Sequence, residues 1–393
     1  MSPDLAHSTF ETDPFTPVTS LSNASLPDNV GKNRWEYSIT PNSRGDFGLQ
    51  FYGGIDQGLN PTITNADHGL LPGDILLSVN GVPVREHTYN QIKESIQSSL
   101  ALERLVVVVY RESKSFEESL NAVKEGILSG SLVRQFEQIP TLRHDLSRAT
   151  SLRQQHQVKN RYRDVLPYDD TRVKLSNNTY INASWIDIHT GNFHRQWIAA
   201  QGPLENTVND FWKCVWETDV ISIIMLCRTV ECMQDKCAQY WPSDLFIAEE
   251  YDSIDVIMEE EEFLDYAVRR IFVLCHNSGK SRKVCHWQYT DWPDHGVPDN
   301  PDDFLKFFHN VRQQLSPPEP VLVHCSAGVG RTGVTIALDS CMAMLEQRIS
   351  VNPINIVQKI RNQRCMMIQN SAQFEMLLKL ISYIAHSRRN EDY

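Results

Sequence analysis

The chain has 393 residues, 41% hydrophobic and 22% charged, with a formal net charge of -12 at pH 7. That length and composition fit a globular protein of two or three domains with a sizeable core, and the negative balance argues against general nucleic-acid binding while leaving room for a local cationic pocket. The nine cysteines are odd in number, all lie at or after Cys214 and form no C-x-x-C pair, so neither a disulfide framework nor a structural zinc site is expected.

Residues 1–32 are rich in Ser, Thr, Pro and Asn with little apolar periodicity, which reads as a disordered leader. The opening MSPDLAHSTFETDPF is neither basic nor apolar, and no run of about 18 apolar residues follows it, so no membrane span and a cytoplasmic location are expected. Residues 33–112 carry the short strand-like runs WEYSIT, GLQFY, GDILLSVN and LERLVVVVY. An Asn80-Gly81 turn follows the third run, and an amphipathic helix, HTYNQIKESIQS, precedes the last, giving a small β-rich domain. Residues 113–157 form a linker with the first helices of the next domain: FEESLNAVKEGILSGSLVRQFEQI reads as helix interrupted near Gly130, and TLRHDLSRATSLRQQHQ as an exposed connection. A larger domain occupies 158–390. Its acidic run EEYDSIDVIMEEEEFLDY lacks calcium-loop spacing and reads as a solvated loop or the face of an edge strand.

The stretch VLVHCSAGVGRTGV, residues 321–334, places Gly328, Gly330 and Gly333 at G-x-G-x-x-G spacing between an apolar strand and a helix. Such a turn offers unpaired N–H groups and the positive end of a helix dipole to an anion. A dinucleotide loop also requires an acidic residue roughly 20 positions on, and the chain there reads QRISVNPIN. What stands here instead is Cys325 with Arg331 six positions later. A cysteine is nucleophilic as thiolate, which a helix N-terminus and neighbouring cations favour. His324 adjoins it, Arg331 supplies a planar, permanently charged fork for phosphate oxygens, and the backbone of Ser326, Ala327, Gly328, Val329 and Gly330 can wrap the anion closely. An inert cysteine in a tight turn is the ordinary reading of a lone thiol, but it leaves Arg331 and the three glycines unexplained. Phosphoryl transfer also needs an acid for the leaving group and a base for water. Asp294 in DWPDHGVPD is the candidate, on a turn-rich segment that Trp292 and Pro293 anchor and Gly296 lets move.

Together these segments resemble a classical protein tyrosine phosphatase domain. The resemblance covers about residues 115–390 through KNRYRDVLPYD, TYINASWI, WIAAQGP, DFWKCVWE, KCAQYWP, WPDHGVP, HCSAGVGRTG and IQNSAQF, in family order. It implies an α/β (α+β) fold with a central twisted mixed sheet flanked by helices, and hydrolysis of phosphotyrosine in proteins through a phosphocysteine intermediate, without cofactor or metal. In its terms Cys325 is the nucleophile, Arg331 the phosphate clamp, Asp294 the general acid and then base, and Gln369 the group that orients water. Thr332 eases departure of the thiolate, Glu231 and Lys236 brace the arginine and the acid loop, and Gln373 lies with the substrate-binding loop. Tyr162 stacks on the phosphotyrosine ring, making the pocket too deep for phosphoserine, and Asp164 accepts hydrogen bonds from the substrate main chain. The chain departs from the family at Trp185, Trp197, Cys227 and Asn370. Asn370, replacing the usual Thr beside Gln369, implies slower hydrolysis of the phosphoenzyme. A phosphotyrosine-binding scaffold with little turnover is the alternative, and Tyr162 and the length of the domain stand against a dual-specificity enzyme.

The smaller domain resembles a PDZ domain through GDFGLQF and GDILLSVNG. That resemblance implies a carboxylate loop at Phe47, Gly48 and Leu49, a peptide-binding strand that continues through Gln50 and Phe51, and partners that add their C-terminal residues to the sheet edge. Aligning the flanking helix on Ile92 and Ile96 puts Tyr89 where His is usual, with Lys93 one turn along, which favours an acidic residue two positions before the partner's terminus. A PDZ domain, helical linker and phosphatase domain together resemble the C-terminal part of the FERM, PDZ and phosphatase subfamily of non-receptor enzymes. The chain is then a piece of such a protein or a shorter relative without the FERM domain, a signalling enzyme recruited to membrane or cytoskeletal complexes.

Overall fold

The structure, a computed structural model, describes residues 34–41, 45–57, 59–65, 70, 74–110, 115–293, 296–298, 301–315 and 318–391. The expected leader lies outside them. The chain forms two compact units, the second beginning at Ser115.

In the first unit, alternation of apolar residues produces β1 (Arg34–Ile39), β2 (Gln50–Gly54), β3 (Leu59–Asn65), β4 (Ile75–Val79), β5 (Val82–Pro83) and β6 (Leu105–Tyr110), with α1 (Tyr89–Ser98) before the last. The antiparallel sheet runs β1-β6-β4-β3-β2, with β5 paired to β4. Tyr37, Ile39, Leu76, Val107 and Val109 meet Ile92 and Ile96 of α1 in its core. Asn80 and Gly81 both take positive φ, 47° and 79°, and make the expected turn between β4 and β5. Helix α1 starts at a capping box in which Thr88 and Gln91 satisfy each other's backbone N–H groups. Its Tyr89 ring lies 5.0 Å from that of Phe51 on β2, the last strand in the sheet order.

The second unit opens with α2 (Phe116–Leu128) and α3 (Ser131–Gln138), separated at Gly130, whose φ of 66° ends the first helix as expected. The following connection is largely exposed, as its polarity implied, with two buried exceptions. Ser151 and His156 are buried, the latter within α4 (Gln154–Gln157), because the His156 ring stacks on Tyr180 at 4.5 Å and its Nδ1 bonds the Thr150 carbonyl. Ser151 Oγ likewise donates to the Pro167 carbonyl at 3.2 Å. The chain then forms β7 (Ala183–Thr190), β8 (Phe193–Ala200), α5 (Val208–Glu217), β9 (Ser222–Met225), β10 (Val230–Glu231), β11 (Gln234–Asp235), β12 (Ala248–Tyr251), β13 (Ile254–Phe263), β14 (Ala267–His276) and β15 (Ser281–Tyr289). It ends with α6 (Asp302–Gln314), β16 (Val321–His324), α7 (Gly330–Glu346), α8 (Pro353–Arg361) and α9 (Ser371–Glu391).

Among the described residues the main sheet runs β12-β13-β14-β15-β9-β16-β8-β7, parallel across β15, β9, β16 and β8 and antiparallel elsewhere. The acidic run forms β12 and β13 at one edge, where Arg269 and Arg270 of β14 bond Glu260 and Glu261. Strand β16 is buried along its length and points its C-terminal end into the turn before α7, where open α/β sheets bind ligands. No helix of the described residues is long and apolar enough to cross a membrane.

Candidate active site

Cys325 stands at the head of that turn, 5% exposed. Every carbonyl from Cys325 to Val329 has an outward partner. His324 Nδ1 lies 3.1 Å from the Cys325 carbonyl, and Gly202 N donates to that of Ser326 at 2.9 Å. Arg364 donates to Ala327 at 3.1 Å and to Gly328 at 2.9 Å, while Ile368 N donates to Val329 at 3.0 Å. Because a trans peptide sets its N–H opposite its C=O, the N–H groups of Ser326, Ala327, Gly328, Val329 and Gly330 turn inward toward the thiol. Gly328 is required twice over: its φ is +70°, and a Cβ there would lie 2.0 Å from the Ala200 carbonyl oxygen at the end of β8.

Arg331, in the first turn of α7, closes the other side. Its guanidinium is held by both oxygens of buried Glu231, at 2.6 and 2.8 Å, and donates to the Leu226 carbonyl at 2.8 Å. It also lies over the Trp292 ring at 5.5 Å and reaches the Pro293 carbonyl at 3.4 Å, so the arginine touches the segment that carries Asp294. Asp294 itself lies outside the described residues. Trp292 is buried and donates its Nε1–H to the Gly296 carbonyl at 3.2 Å, fastening the loop across its own turn.

Thr332 Oγ1 donates to the Cys325 sulfur at 3.4 Å. Gln373 accepts from Gln369 N at 2.9 Å and packs against Gly330 so closely that a Cβ there would lie 2.7 Å from its Nε2. Gln369 is exposed just before α9. Tyr162 shares a 2.9 Å hydrogen bond with Ser326, which ties it to the loop, and Asp164 is exposed two residues on. Lys236 bonds Gln234 Oε1 at 2.9 Å. Asn370 has a structural task, since its Oδ1 accepts from Gln373 N at 3.0 Å and caps α9. Trp197 is fully buried. Cys227 is buried beside Cys237, and its hydrogen bond with that thiol, then burial, push its own thiol pKa well up. Burial likewise pushes Cys214 up to about 12. These thiols are inert packing groups.

Two features behind the loop escaped the sequence reading. One is a buried chain: Arg270 lies 3.5 Å from His286 Nδ1, Tyr240 Oη lies 2.8 Å from both His286 Nε2 and His324 Nε2, and His324 reaches the Cys325 carbonyl. Burial, then the Arg270 charge, push the His286 pKa well down, so that ring is neutral. With Arg270 donating, one direction satisfies every member: His286 donates to Tyr240, Tyr240 to His324, and His324 to the loop. The other is Arg364, fully buried, which holds two loop carbonyls together with Ser184 Oγ at 3.1 Å and Asn182 Oδ1 at 2.9 Å. Arg364→Met is expected to lower stability by about 3 kcal/mol or more, read from the denaturation midpoint, because it strips four buried acceptors of a charged donor.

A thiol ringed by inward N–H groups and faced by a carboxylate-braced guanidinium defines a cysteine-dependent phosphate site. The chain belongs to the protein-tyrosine phosphatase family, whose model matches residues 156–383, and its second unit is a cysteine-dependent protein-tyrosine phosphatase domain. It is 33% identical over 415 residues to tyrosine-protein phosphatase non-receptor type 4 of Mus musculus, covering 94% of this chain and 44% of that protein. It is 38% identical over 300 residues to non-receptor type 20 of Mus musculus, covering 75% and 69%. Receptor-type tyrosine-protein phosphatase eta of Homo sapiens is 42% identical over 241 residues, covering 59% and 18%. The chain thus spans less than half of the type 4 relative.

Proposed function

We propose that the chain hydrolyses phosphotyrosine in proteins through a phosphocysteine. The observation that carries this reading is the loop at Cys325, whose outward carbonyls leave five successive N–H groups for three phosphate oxygens. The Cys325 thiolate forms an S–P bond as the P–O bond to tyrosine breaks and Asp294 gives its proton to the leaving oxygen. Water held by Gln369 then attacks phosphorus, Asp294 takes its proton, and the S–P bond breaks to release inorganic phosphate while Thr332 donates to the departing sulfur. Arg331 follows the charge on the transferring group, and Lys236 braces the acid loop. Tyr162 at the loop's rim favours a long aryl ester over phosphoserine, and Asp164 holds the substrate main chain.

Phosphate release from matched phosphotyrosine and phosphoserine peptides, without added metal, tests the proposal. Turnover of the first alone, strongly slowed by Asp294→Ala, is expected; equal turnover of both would remove the assigned specificity. Because the thiolate and the protonated acid must coexist, kcat/KM should show a bell-shaped pH profile, and a flat acidic limb contradicts the assigned roles.

The first unit is read as a PDZ domain that takes C-terminal peptides between β2 and α1. Strand β2 at the end of the sheet order, with Phe51 against Tyr89, supports an edge for strand addition. Gly48 has φ +62°, and its N–H is bonded to Asp46 Oδ1 at 2.8 Å, so an arriving carboxylate displaces that contact. Phe47 is buried, Leu49 and Gln50 are half-buried on the way to Phe51, and Lys93 is exposed on α1. Peptides with an acidic residue two positions before the terminus are expected to bind about two- to fivefold tighter than Ser or Thr versions; fluorescence anisotropy showing the reverse order would refute this preference. With this unit as its address, the enzyme belongs in the cytoplasm at membrane or cytoskeletal complexes, as part or relative of the FERM, PDZ and phosphatase subfamily.

A further inference from the structure

The hairpin of β7 and β8 carries a second cluster of chemistry-bearing side chains that the phosphatase reading does not use. His189 and His194 are directly opposite in register, and Asp187 lies two residues before His189, so all three leave one face of the sheet. That face is the solvent side. His189 Nε2 lies 3.0 Å from one Asp187 oxygen and His194 Nε2 lies 2.8 Å from the other. The two rings stack at 3.9 Å, inclined by 10°. One donor atom from each residue lies within 4.8 Å of the other two.

We propose that Asp187, His189 and His194 form a surface binding site for a divalent metal ion of borderline softness, such as Zn(II), with solvent completing the coordination. Two imidazoles and a carboxylate suit that class of ion better than calcium or magnesium. Tetrahedral ligands at about 2.0 to 2.1 Å from zinc sit roughly 3.3 Å apart; binding would replace the two ring contacts of 2.8 and 3.0 Å, each made to a different Asp187 oxygen, and draw donor atoms that lie within 4.8 Å of one another to that spacing. The strand beneath is already fixed. Gln363 accepts from Asp187 N at 2.7 Å and donates to its carbonyl at 3.2 Å, and Lys359 donates to the His189 carbonyl at 3.1 Å. The nearby Lys359 charge moderates the affinity of the site for a cation. A hydrogen-bonded His–Asp–His cluster with no metal affinity is the competing account.

The test is a Zn(II) titration of the full chain against a chromophoric chelator, with Cys325→Ser in every sample to remove the thiolate as a competing ligand. One equivalent of Zn(II) is expected, and His194→Ala and Asp187→Asn should each weaken it at least about tenfold. Zn(II) binding that persists unchanged in either variant, as it would if held by exposed Cys232 or by other histidines, overturns the site, and so does the absence of binding. Phosphate release by His194→Ala in the chain with Cys325 intact should match wild type and shows that the fold is kept.

Discussion

Cys325→Ser is expected to lower phosphate release from a phosphotyrosine peptide by about 10⁴-fold or more. The sulfur is the one loop atom positioned to attack phosphorus, and an alcohol in its place lacks a base to activate it. The backbone should not notice the change, because the outward carbonyl partners from Gly202, Arg364 and Ile368 do not involve the side chain. Retained affinity for the phosphopeptide with lost turnover would therefore separate chemistry from binding. A residual rate within tenfold of wild type would remove the thiol from the mechanism.

The next largest effect is expected at Glu231, which never touches substrate. Its carboxylate, 4% exposed as a residue, takes both donating nitrogens of Arg331 and also accepts from Arg228 N at 3.0 Å. Glu231→Ala leaves a half-buried guanidinium with only the Leu226 and Pro293 carbonyls. We expect kcat to fall about 10²- to 10³-fold, the magnitude of losing one transition-state donor, with a stability loss of about 3 kcal/mol from the uncompensated charge. Glu231→Gln should recover part of the stability and little of the rate. An unchanged kcat in a destabilised Glu231→Ala protein would make the pair structural only.

What the sequence disclosed was whatever local spacing encodes. Cys325 and Arg331 lie six residues apart because one turn must place both on the same anion, so the pattern is visible in a single line of letters. Gly130 and the Asn80-Gly81 turn were legible for a similar reason, since positive φ demands those residue types. Arg364 was not legible. It reads as an ordinary arginine in RNQRC, and its partners Ala327, Gly328, Asn182 and Ser184 come from two other parts of the chain. The Arg270, His286, Tyr240 and His324 series was hidden likewise, because its members lie on different strands and a loop and meet only when the sheet forms. Asn370 illustrates the converse. In sequence it stands out only as a departure beside Gln369, and the hydrogen bond by which its side chain caps α9 is visible only in the fold. The polar connection before residue 158 is mostly exposed, as its composition implied, and His156 is an exception, a polar group buried with its partners.

The most direct test of the central claim is to quench the protein during turnover of a phosphotyrosine peptide and map its phosphate by mass spectrometry. The mechanism predicts phosphate on the fragment that contains Cys325, accumulating when Gln369→Ala slows its hydrolysis. Steady release of phosphate with no label on Cys325 at any quench time, in wild type or Gln369→Ala, would contradict a phosphocysteine and place water in direct attack on the ester.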